Sequence, residues 1–315
     1  MGHRKHSAPR RGSLAYRPRG RAKSLLPRIR NWPKVANEKP TILGYPAFKA
    51  GTIHVITVDD RAKTPNFGKP LFNMSSVLSM PEAEVVGMRL YSHGDGKDLP
   101  IADVKAAGKA EGQLPIDRAA RVTAMVSTVP KDVGLSQKEP IVMEVGVAGG
   151  DVKAQSDYVL GLIGKKVKFA DVFKAGMYVD VLGITKGKGF EGPVTRFGVK
   201  RKQHKSRKSV RAVGVIGPWH PAAVMYTIAR AGQMGFHQRT ETGKRILVSA
   251  NATEKPITPP GGFPHFGEVR GDYAVLKGSV PGPARRFVMV RMALRGTPKN
   301  QTPPQVLELS PLVRR

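Results

Sequence analysis

One stretch of the sequence, residues 186–211, has a composition suited to binding a polyanion. It contains one acidic residue, Glu191, and many basic ones. The basic residues are Lys186, Lys188, Arg196, Lys200, Arg201, Lys202, Lys205, Arg207, Lys208 and Arg211. Such a segment does not belong in a core, because each buried, unpaired charge costs several kcal/mol. RNA or DNA suits it, since each neutralised phosphate releases a condensed counterion and thereby favours binding.

A short aromatic element, Pro218-Trp219-His220-Pro221, follows the basic stretch. Its two prolines stiffen the bend, and an indole at the tip of a loop can stack on a nucleobase for about 1–3 kcal/mol. The alternative is that Trp219 is a core residue beside a turn and that His220 is a hydrogen-bonded turn residue. The basic surroundings favour the first interpretation, so we predict that Trp219 and His220 face RNA.

Residues 1–40 are predicted to form a second basic element, an N-terminal arm. Its basic residues, apart from Lys39, all precede the first acid, Glu38. The interspersed prolines and glycines disfavour a long helix. Those predicted to contact RNA are Arg4, Lys5, Arg10, Arg11, Arg17, Arg19, Arg21, Lys23, Arg28 and Arg30. A disordered, solvated tail is the alternative to an arm that becomes ordered on RNA. Tyr16 and Trp32 can stack on bases or anchor the arm on the body.

Charge is distributed unevenly over the 315 residues, whose formal net charge is +30. Residues 82–180 carry 14 acidic and 13 basic side chains, whereas the rest of the chain carries 9 and 40. This pattern is typical of a protein that remains bound to a polyanion. The absence of cysteine excludes disulfides, thiolate zinc sites and thiol catalysis. No apolar run approaches the ~20 residues of a membrane span, and the N-terminus lacks the apolar region of a secretory signal, so we expect a cytoplasmic protein.

Signatures of catalysis or metal binding are missing from the sequence. Residues 161–166 and 183–188 lack the Ser or Thr that completes a P-loop. Asp59-Asp60 is an adjacent carboxylate pair at the end of a strand pattern, where Asp commonly serves a turn. The eight histidines are not spaced as ligands on a helix. We therefore predict no catalytic residue, no metal, no cofactor and no small-molecule substrate.

Hydrophobic periodicity predicts a mainly β protein with an α+β insertion. Residues 51–58 alternate and are β-branched, as in a strand. The near-neutral part of the chain reads as a β-α-β-β-α-β lobe. Its predicted strands are 84–92, 120–128, 141–148 and 176–185, and its predicted helices are 100–108 and 156–164. Later strands are predicted at 244–250, 272–283 and 285–294.

These patterns predict four parts of the chain. They are the arm over 1–40, a β body over 41–83 and 184–300 with a long basic loop at 186–222, the inserted lobe over 84–183, and an extended tail over 301–315.

Five motifs together resemble universal ribosomal protein three of the large subunit, in its archaeal and eukaryotic form. They are residues 1–14 (MGHRKHSAPRRGSL), 47–54 (AFKAGTIH), 185–193 (TKGKGFEGP) with 196–198 (RFG), 217–222 (GPWHPA) with 229–232 (ARAG), and 277–283 (KGSVPGP). The resemblance runs nearly end to end, and the motifs come in the same order. Thr52 departs from the methionine that many relatives carry, which concerns only local packing.

The resemblance implies a six-stranded β-barrel of the translation-factor type, interrupted by an α/β insertion. It also implies a structural protein that binds 23S-type rRNA near its 3′ end and nucleates assembly of the large subunit. The loop would reach toward the peptidyl-transferase centre with Trp219 at its tip. Large-subunit proteins fourteen and twenty-four-e are the implied neighbours, and the chain length implies an archaeal source.

Two other classes stay open on the residues alone. An RNA-modifying enzyme would need a catalytic cluster in the lobe, which is near neutral and lacks motifs. A DNA-compacting basic protein would bind duplex DNA as well as structured rRNA.

Overall fold

The computed structural model describes residues 9, 11–35, 39–94, 96–105, 115–206, 208–295 and 301–311. Across these residues the chain is mainly β, as predicted, with few short helices. The strands are β1 (Thr41–Ile42), β2 (Gly44–Val58), β3 (Pro70–Met80), β4 (Ala83–Gly94), β5 (Lys97–Lys105), β6 (Arg121–Thr128), β7 (Ile141–Ala148), β8 (Lys166–Val167), β9 (Tyr178–Ile184), β10 (Gly187–Glu191), β11 (Gly232–Gly235), β12 (Gln238–Asn251), β13 (Asp272–Lys277), β14 (Phe287–Met292) and β15 (Val306–Pro311). The helices are α1 (Val152–Leu162), α2 (Phe169–Val172) and α3 (Pro193–Phe197), with 3-10 turns at Ile116–Arg118 and Pro130–Val133. None of the helices in the described ranges is long and apolar enough to cross a membrane.

Six strands pair in a near-closed ring. Their order is β14-β9-β12-β13-β3-β2, and β2 pairs again with β14. β15 extends the sheet beyond β2, so part of the predicted extended tail is a strand. In β2, Ile53 and Val55 are fully buried, while His54 between them is more exposed. The alternation that predicted a strand at 51–58 therefore marks a real one, which begins earlier, at Gly44.

A second sheet carries most of the inserted segment. Its strand order is β1-β7-β6-β4-β5, and β8 pairs with β4. β4, β6 and β7 confirm the strands predicted at 84–92, 120–128 and 141–148. α1 confirms the predicted helix at 156–164, although it begins at Val152 and ends at Leu162. Gly164 follows with a positive φ of 78°, as expected for a residue that stops a helix.

The helix predicted at 100–108 is wrong. Residues up to Lys105 belong to β5, antiparallel to β4, and residues 106–108 lie outside the described residues. Helix propensity, even that of alanine, is a weak preference, and antiparallel pairing of β5 with β4 overrides it. Arg89 and Asp103, which face each other across the two strands, also form an ion pair at 2.6 Å.

The last strand of the predicted β-α-β-β-α-β order, β9, pairs with β14 and β12 in the ring and not with the second sheet. The second sheet contains the two residues of β1 instead, which pair with β7. Together with the missing first helix, this means that the split βαβ arrangement does not form. Long-range strand pairing decided both points, and a local sequence pattern does not contain that information.

The ring and the second sheet share one hydrophobic cluster. Tyr45 of β2 packs edge-on against Phe169 of α2, with 5.4 Å between ring centroids. Its buried hydroxyl donates to the Pro81 carbonyl at 2.7 Å, and burial raises the pKa of that hydroxyl. The second sheet is therefore part of the same core, and cutting it away would expose apolar surface of the ring.

Trp32 anchors the end of the arm on this core. A Cβ added to Gly146 of β7 would lie 2.5 Å from the indole, so only glycine leaves room for it. Trp32 packs against the hydrophobic cluster together with Leu26 and Ile29. Of the two roles that the sequence left open for Trp32, the structure shows anchoring.

Contacts divide the chain into two compact units. One contains the residues up to Ser24 together with Ile184–Gln238, and the other contains Leu25–Gly183 and Arg239–Arg315. We call the first the arm–loop unit and the second the sheet unit.

Candidate nucleic-acid interface

A two-stranded sheet closes the base of the basic loop. β10 pairs antiparallel with β11, so the chain leaves and returns at the same place. Gly235 has a positive φ of 72°, and a Cβ there would collide with the Lys186 carbonyl oxygen. Glycine is thus required at this position for the strands to approach each other. The residues between the strands form a loop with a defined base.

Arg196 of α3 links the two ends of the basic loop through hydrogen bonds to the backbone. Its Nε donates to the Gln233 carbonyl and its Nη1 to the Arg230 carbonyl, both at 3.0 Å. Partial burial, followed by the positive charge of Arg17, lowers the pKa of the guanidinium. Because these donors are used within the loop, the structure gives Arg196 a positioning role in addition to any contact with RNA.

The arm is hydrogen-bonded to the loop base. The Ala22 amide donates to the Phe236 carbonyl at 2.8 Å. Next to it, Nδ1 of the buried His237 lies 2.8 Å from the Gly20 carbonyl. A carbonyl oxygen can only accept, so Nδ1 carries the proton. The arm is thereby attached to the base of the loop at Gly20 and Ala22.

Two arginines of the arm lie over aromatic rings of the loop. The Arg17 guanidinium is 4.8 Å from the centroid of Tyr226, and the Arg19 guanidinium is 5.0 Å from that of Phe197. Such contacts hold a cation by the negative face of the ring. They orient the arm on the loop without consuming a carboxylate, so the positive charge of the unit is not neutralised internally.

Most of the basic residues predicted to bind RNA are exposed. The exposed ones in the described ranges are Arg11, Arg17, Arg21, Lys23, Arg28, Arg30, Lys186, Lys188, Lys200, Arg201, Lys205, Lys208 and Arg211. Half-buried are Arg19, Arg196 and Lys202. Arg4, Lys5, Arg10 and Arg207 lie outside the described residues. Arg28 and Arg30 belong to the sheet unit, and the other described ones belong to the arm–loop unit.

Trp219 lies on the surface. Its side chain is 88% exposed, and its neighbour His220 is exposed as well. An indole is rarely left in water by a fold that could bury it, because it carries a large apolar area. The core position that the sequence left open for Trp219 is not the one in the structure, and a flat aromatic face is available to a partner.

Sequence reasoning missed a second exposed aromatic, Phe190 in β10, which is 79% exposed beside Lys188. The sequence contained a signal for the exposure of Phe190. Phenylalanine in a run of glycine and lysine has no apolar neighbours with which to form a core, so it must either anchor the loop or meet a partner. Tyr226, 65% exposed under Arg17, is a third. The unit therefore combines cations with exposed aromatic rings, the pairing used to hold single-stranded nucleic acid.

The carboxylate pair Asp59-Asp60 is engaged with arginines. Asp59 pairs with Arg61 at 2.8 Å, and Asp60 pairs with Arg245. No group of three or more His, Asp or Glu side chains suited to a metal ion occurs among the residues that the structure describes.

Comparison with known proteins identifies the family. The sequence model of the family described as ribosomal protein L3 matches residues 1–111 and 102–310. A relative from Methanococcus maripaludis named large ribosomal subunit protein uL3 is 40% identical over 327 residues, which cover 97% of each chain. Proteins of the same name from Caldivirga maquilingensis and Pyrobaculum calidifontis are 42% and 41% identical, covering 91% and 97% of this chain and 90% and 98% of theirs. With matches of this identity and extent to archaeal proteins, the chain belongs to the ribosomal protein L3 family in its archaeal form.

Proposed function

We propose that this chain is a structural constituent of the large ribosomal subunit, that it binds 23S-type rRNA near its 3′ end, and that it thereby nucleates subunit assembly. Its archaeal relatives are named as large-subunit proteins, and the family is not one of enzymes. In this proposal the near-closed ring corresponds to the six-stranded barrel of translation-factor type that the resemblance implies.

The charge of the arm–loop unit is the observation that carries the proposal. Residues up to Ser24 contain eight Lys and Arg and no acid, and Ile184–Gln238 contain eleven with a single acid, Glu191. Self-repulsion at this density disfavours a compact state unless phosphates lie among the cations. The loop side chains Lys200, Arg201 and Lys205 have no carboxylate partner within the described part of the chain, so they are available to phosphates.

Exposed aromatics give the unit a way to contact bases as well as backbone. Trp219 and Phe190 offer flat apolar faces on a polycationic loop. Stacking on either face suits irregular, partly unpaired RNA better than a DNA duplex, whose bases are stacked on each other. We place the Trp219 tip toward the peptidyl-transferase centre, on the strength of the family resemblance and this exposure.

Contacts with proteins fit the inserted lobe better than contacts with RNA do. The segment 82–180 has 14 acidic and 13 basic residues, so it offers RNA little net attraction. A near-neutral surface is compatible with protein neighbours, and large-subunit proteins fourteen and twenty-four-e are the candidates.

A binding competition tests the proposal. The full-length, RNA-free protein is titrated with three probes at two salt concentrations: a 3′ fragment of 23S rRNA, a 5′ fragment of equal length, and duplex DNA. We expect the 3′ fragment to bind most tightly at both salts. Equal affinity for all three probes would mean that the protein binds them only as a non-specific polycation. Preference for the duplex would favour a DNA-compacting protein.

A further inference from the structure

A small polar cavity lies at one end of the ring, where β2 and β13 end, β3 and β9 begin, and the middle of β12 passes. Its volume is about 250 Å³. Pockets that take drug-sized ligands have roughly 300–1,000 Å³, so this cavity suits a small ion or a single group of a larger ligand. All of its lining belongs to the sheet unit, and none of the lining residues is among the basic residues used in the proposed function.

Two carboxylates line the cavity, and each is matched by a guanidinium. The buried Asp59 accepts from Nε of Arg61 at 2.8 Å and from Nη2 at 2.9 Å. The hydrogen bonds from Arg61 hold the pKa of Asp59 well below its usual range. Asp60 accepts from Nη1 of Arg245 at 2.8 Å and also from Nη2. These carboxylates are therefore neutralised by arginines.

Arg245 keeps one donor without an acceptor. Its side chain is only 11% exposed, and both Nη atoms are engaged. Nε is buried and has no hydrogen-bond partner among the described residues. The atom has almost no accessible surface, so it does not face the cavity, and the guanidinium contributes its charge to the site through the Nη atoms that hold Asp60.

Lys277 adds a cation without a counter-ion. It is half-buried at the end of β13, and its ammonium forms no hydrogen bond or ion pair with the residues that the structure describes. Burial, followed by the charge of Arg61, lowers the pKa of its ammonium. The remaining lysine, Lys244, is paired with Glu241 at 3.1 Å. Lys277 thus leaves an excess of positive charge at a concave site, which is the arrangement that attracts an anion.

We propose that this cavity binds one phosphate group, with the Lys277 ammonium supplying both the charge and a hydrogen bond. The volume is too small for a nucleotide. The phosphate can come from the RNA backbone, which would add a contact from the ring to the proposed rRNA interface, or from inorganic phosphate. Binding of inorganic phosphate does not depend on the proposed rRNA function.

The first arm of the test uses inorganic phosphate and the full-length, RNA-free protein. Melting temperatures are measured in phosphate and in chloride at equal ionic strength, because a ligand that binds only the folded state raises the melting temperature. We expect phosphate to stabilise the wild type more than chloride does, Lys277→Met to weaken phosphate binding at least tenfold, and Lys277→Arg to retain most of it. Lys153→Met, the same charge change on the exposed face of α1, should respond like the wild type.

The second arm uses the 3′ fragment of 23S rRNA. If the phosphate is part of the RNA backbone, Lys277→Met reduces the magnitude of the slope of log K against log salt by roughly 0.7–0.9. Lys153→Met does not change the slope. An unchanged slope together with a weakened phosphate response assigns the site to inorganic phosphate. A wild type that phosphate stabilises no more than chloride, or an equal phosphate response in Lys277→Met, overturns the site. Failure of rRNA binding alone leaves the first arm intact.

Discussion

Arg17 and Tyr226 lie 209 positions apart in the chain and meet in the arm–loop unit. The guanidinium stacks 4.8 Å from the centroid of the ring and donates from Nη1 to the Tyr226 carbonyl at 2.8 Å. One side chain thus contacts both the ring and the backbone of the same residue. Since an exposed cation–π contact contributes about 0.5–1 kcal/mol, the pair orders the arm on the loop without dominating the stability of the unit.

Replacing Arg17 with alanine should loosen this part of the loop. We expect faster amide hydrogen exchange in peptides that span 222–236, because the arm no longer covers the Tyr226 carbonyl or ring. Arg21→Ala removes an exposed arm arginine of the same charge and should leave exchange unchanged. If both variants exchange alike, the Arg17–Tyr226 contact does not order the loop.

The two tryptophans should respond oppositely to truncation. Trp219→Ala should leave the melting temperature of the RNA-free protein nearly unchanged, because the indole is 88% exposed. Trp32→Ala should destabilise the protein by up to ~3–5 kcal/mol, the cost of truncating a fully buried tryptophan, since its half-buried indole packs on Gly146 and the core cluster. Thermal melts of the two variants and the wild type make the comparison. A large drop for Trp219→Ala would mean that the tip is buried in solution.

In the ribosome, the Trp219 variant should show its effect. We expect subunits that carry Trp219→Ala to assemble and to show altered peptidyl transfer, because RNA at the tip changes its local geometry when no indole stacks on it. The measurement is the rate at which purified subunits form a single peptide bond. A normal rate would remove the tip from the vicinity of the reaction.

Salt dependence should report how many phosphates the protein neutralises. If the arm and loop contact ~8 phosphates, the slope of log K against log salt lies between about −5 and −8. Replacing Lys200 and Lys205 with glutamine should reduce the magnitude of the slope by about 1.4–1.8. Replacing Lys131 and Lys153, two exposed lysines of the sheet unit, should not. A wild-type slope near −1 would contradict the electrostatic account.

The buried pair Asp180–Arg291 should be essential for the stability of the ring. Nη2 of Arg291 donates to the fully buried Asp180 at 2.7 Å, and the carboxylate also accepts from the amides of Gly243 and Leu294. Arg291→Met leaves a buried carboxylate without its counter-ion, which typically costs ~3–5 kcal/mol. Breaking the exposed pair Lys166–Glu82 by Lys166→Met should cost less than about 1 kcal/mol. Urea unfolding of both variants measures the difference, and equal losses would contradict it.

Local pattern predicted strands well where burial alternates and poorly where long-range pairing competes. Residues 141–148 were predicted as a strand with the bounds that β7 has, because their apolar run has no helical period. Residues 100–108 were predicted as a helix, yet pairing with β4 places those up to Lys105 in β5. The predicted helix at 156–164 was displaced by four residues at its start, since the first turn follows Asp151.

The sequence by itself determined that this chain is a polycation with a mainly β body, and its motifs indicated the ribosomal family, because charge, periodicity and short motifs are local properties. Only the tertiary structure decided that the arm up to Ser24 joins the loop while Trp32 joins the core. It also decided that Arg196 ties the loop to its own backbone and that Lys277 stands beside two neutralised carboxylates at the end of the ring. These facts depend on which residues distant in sequence meet, and that is set by strand pairing and by burial of the shared core.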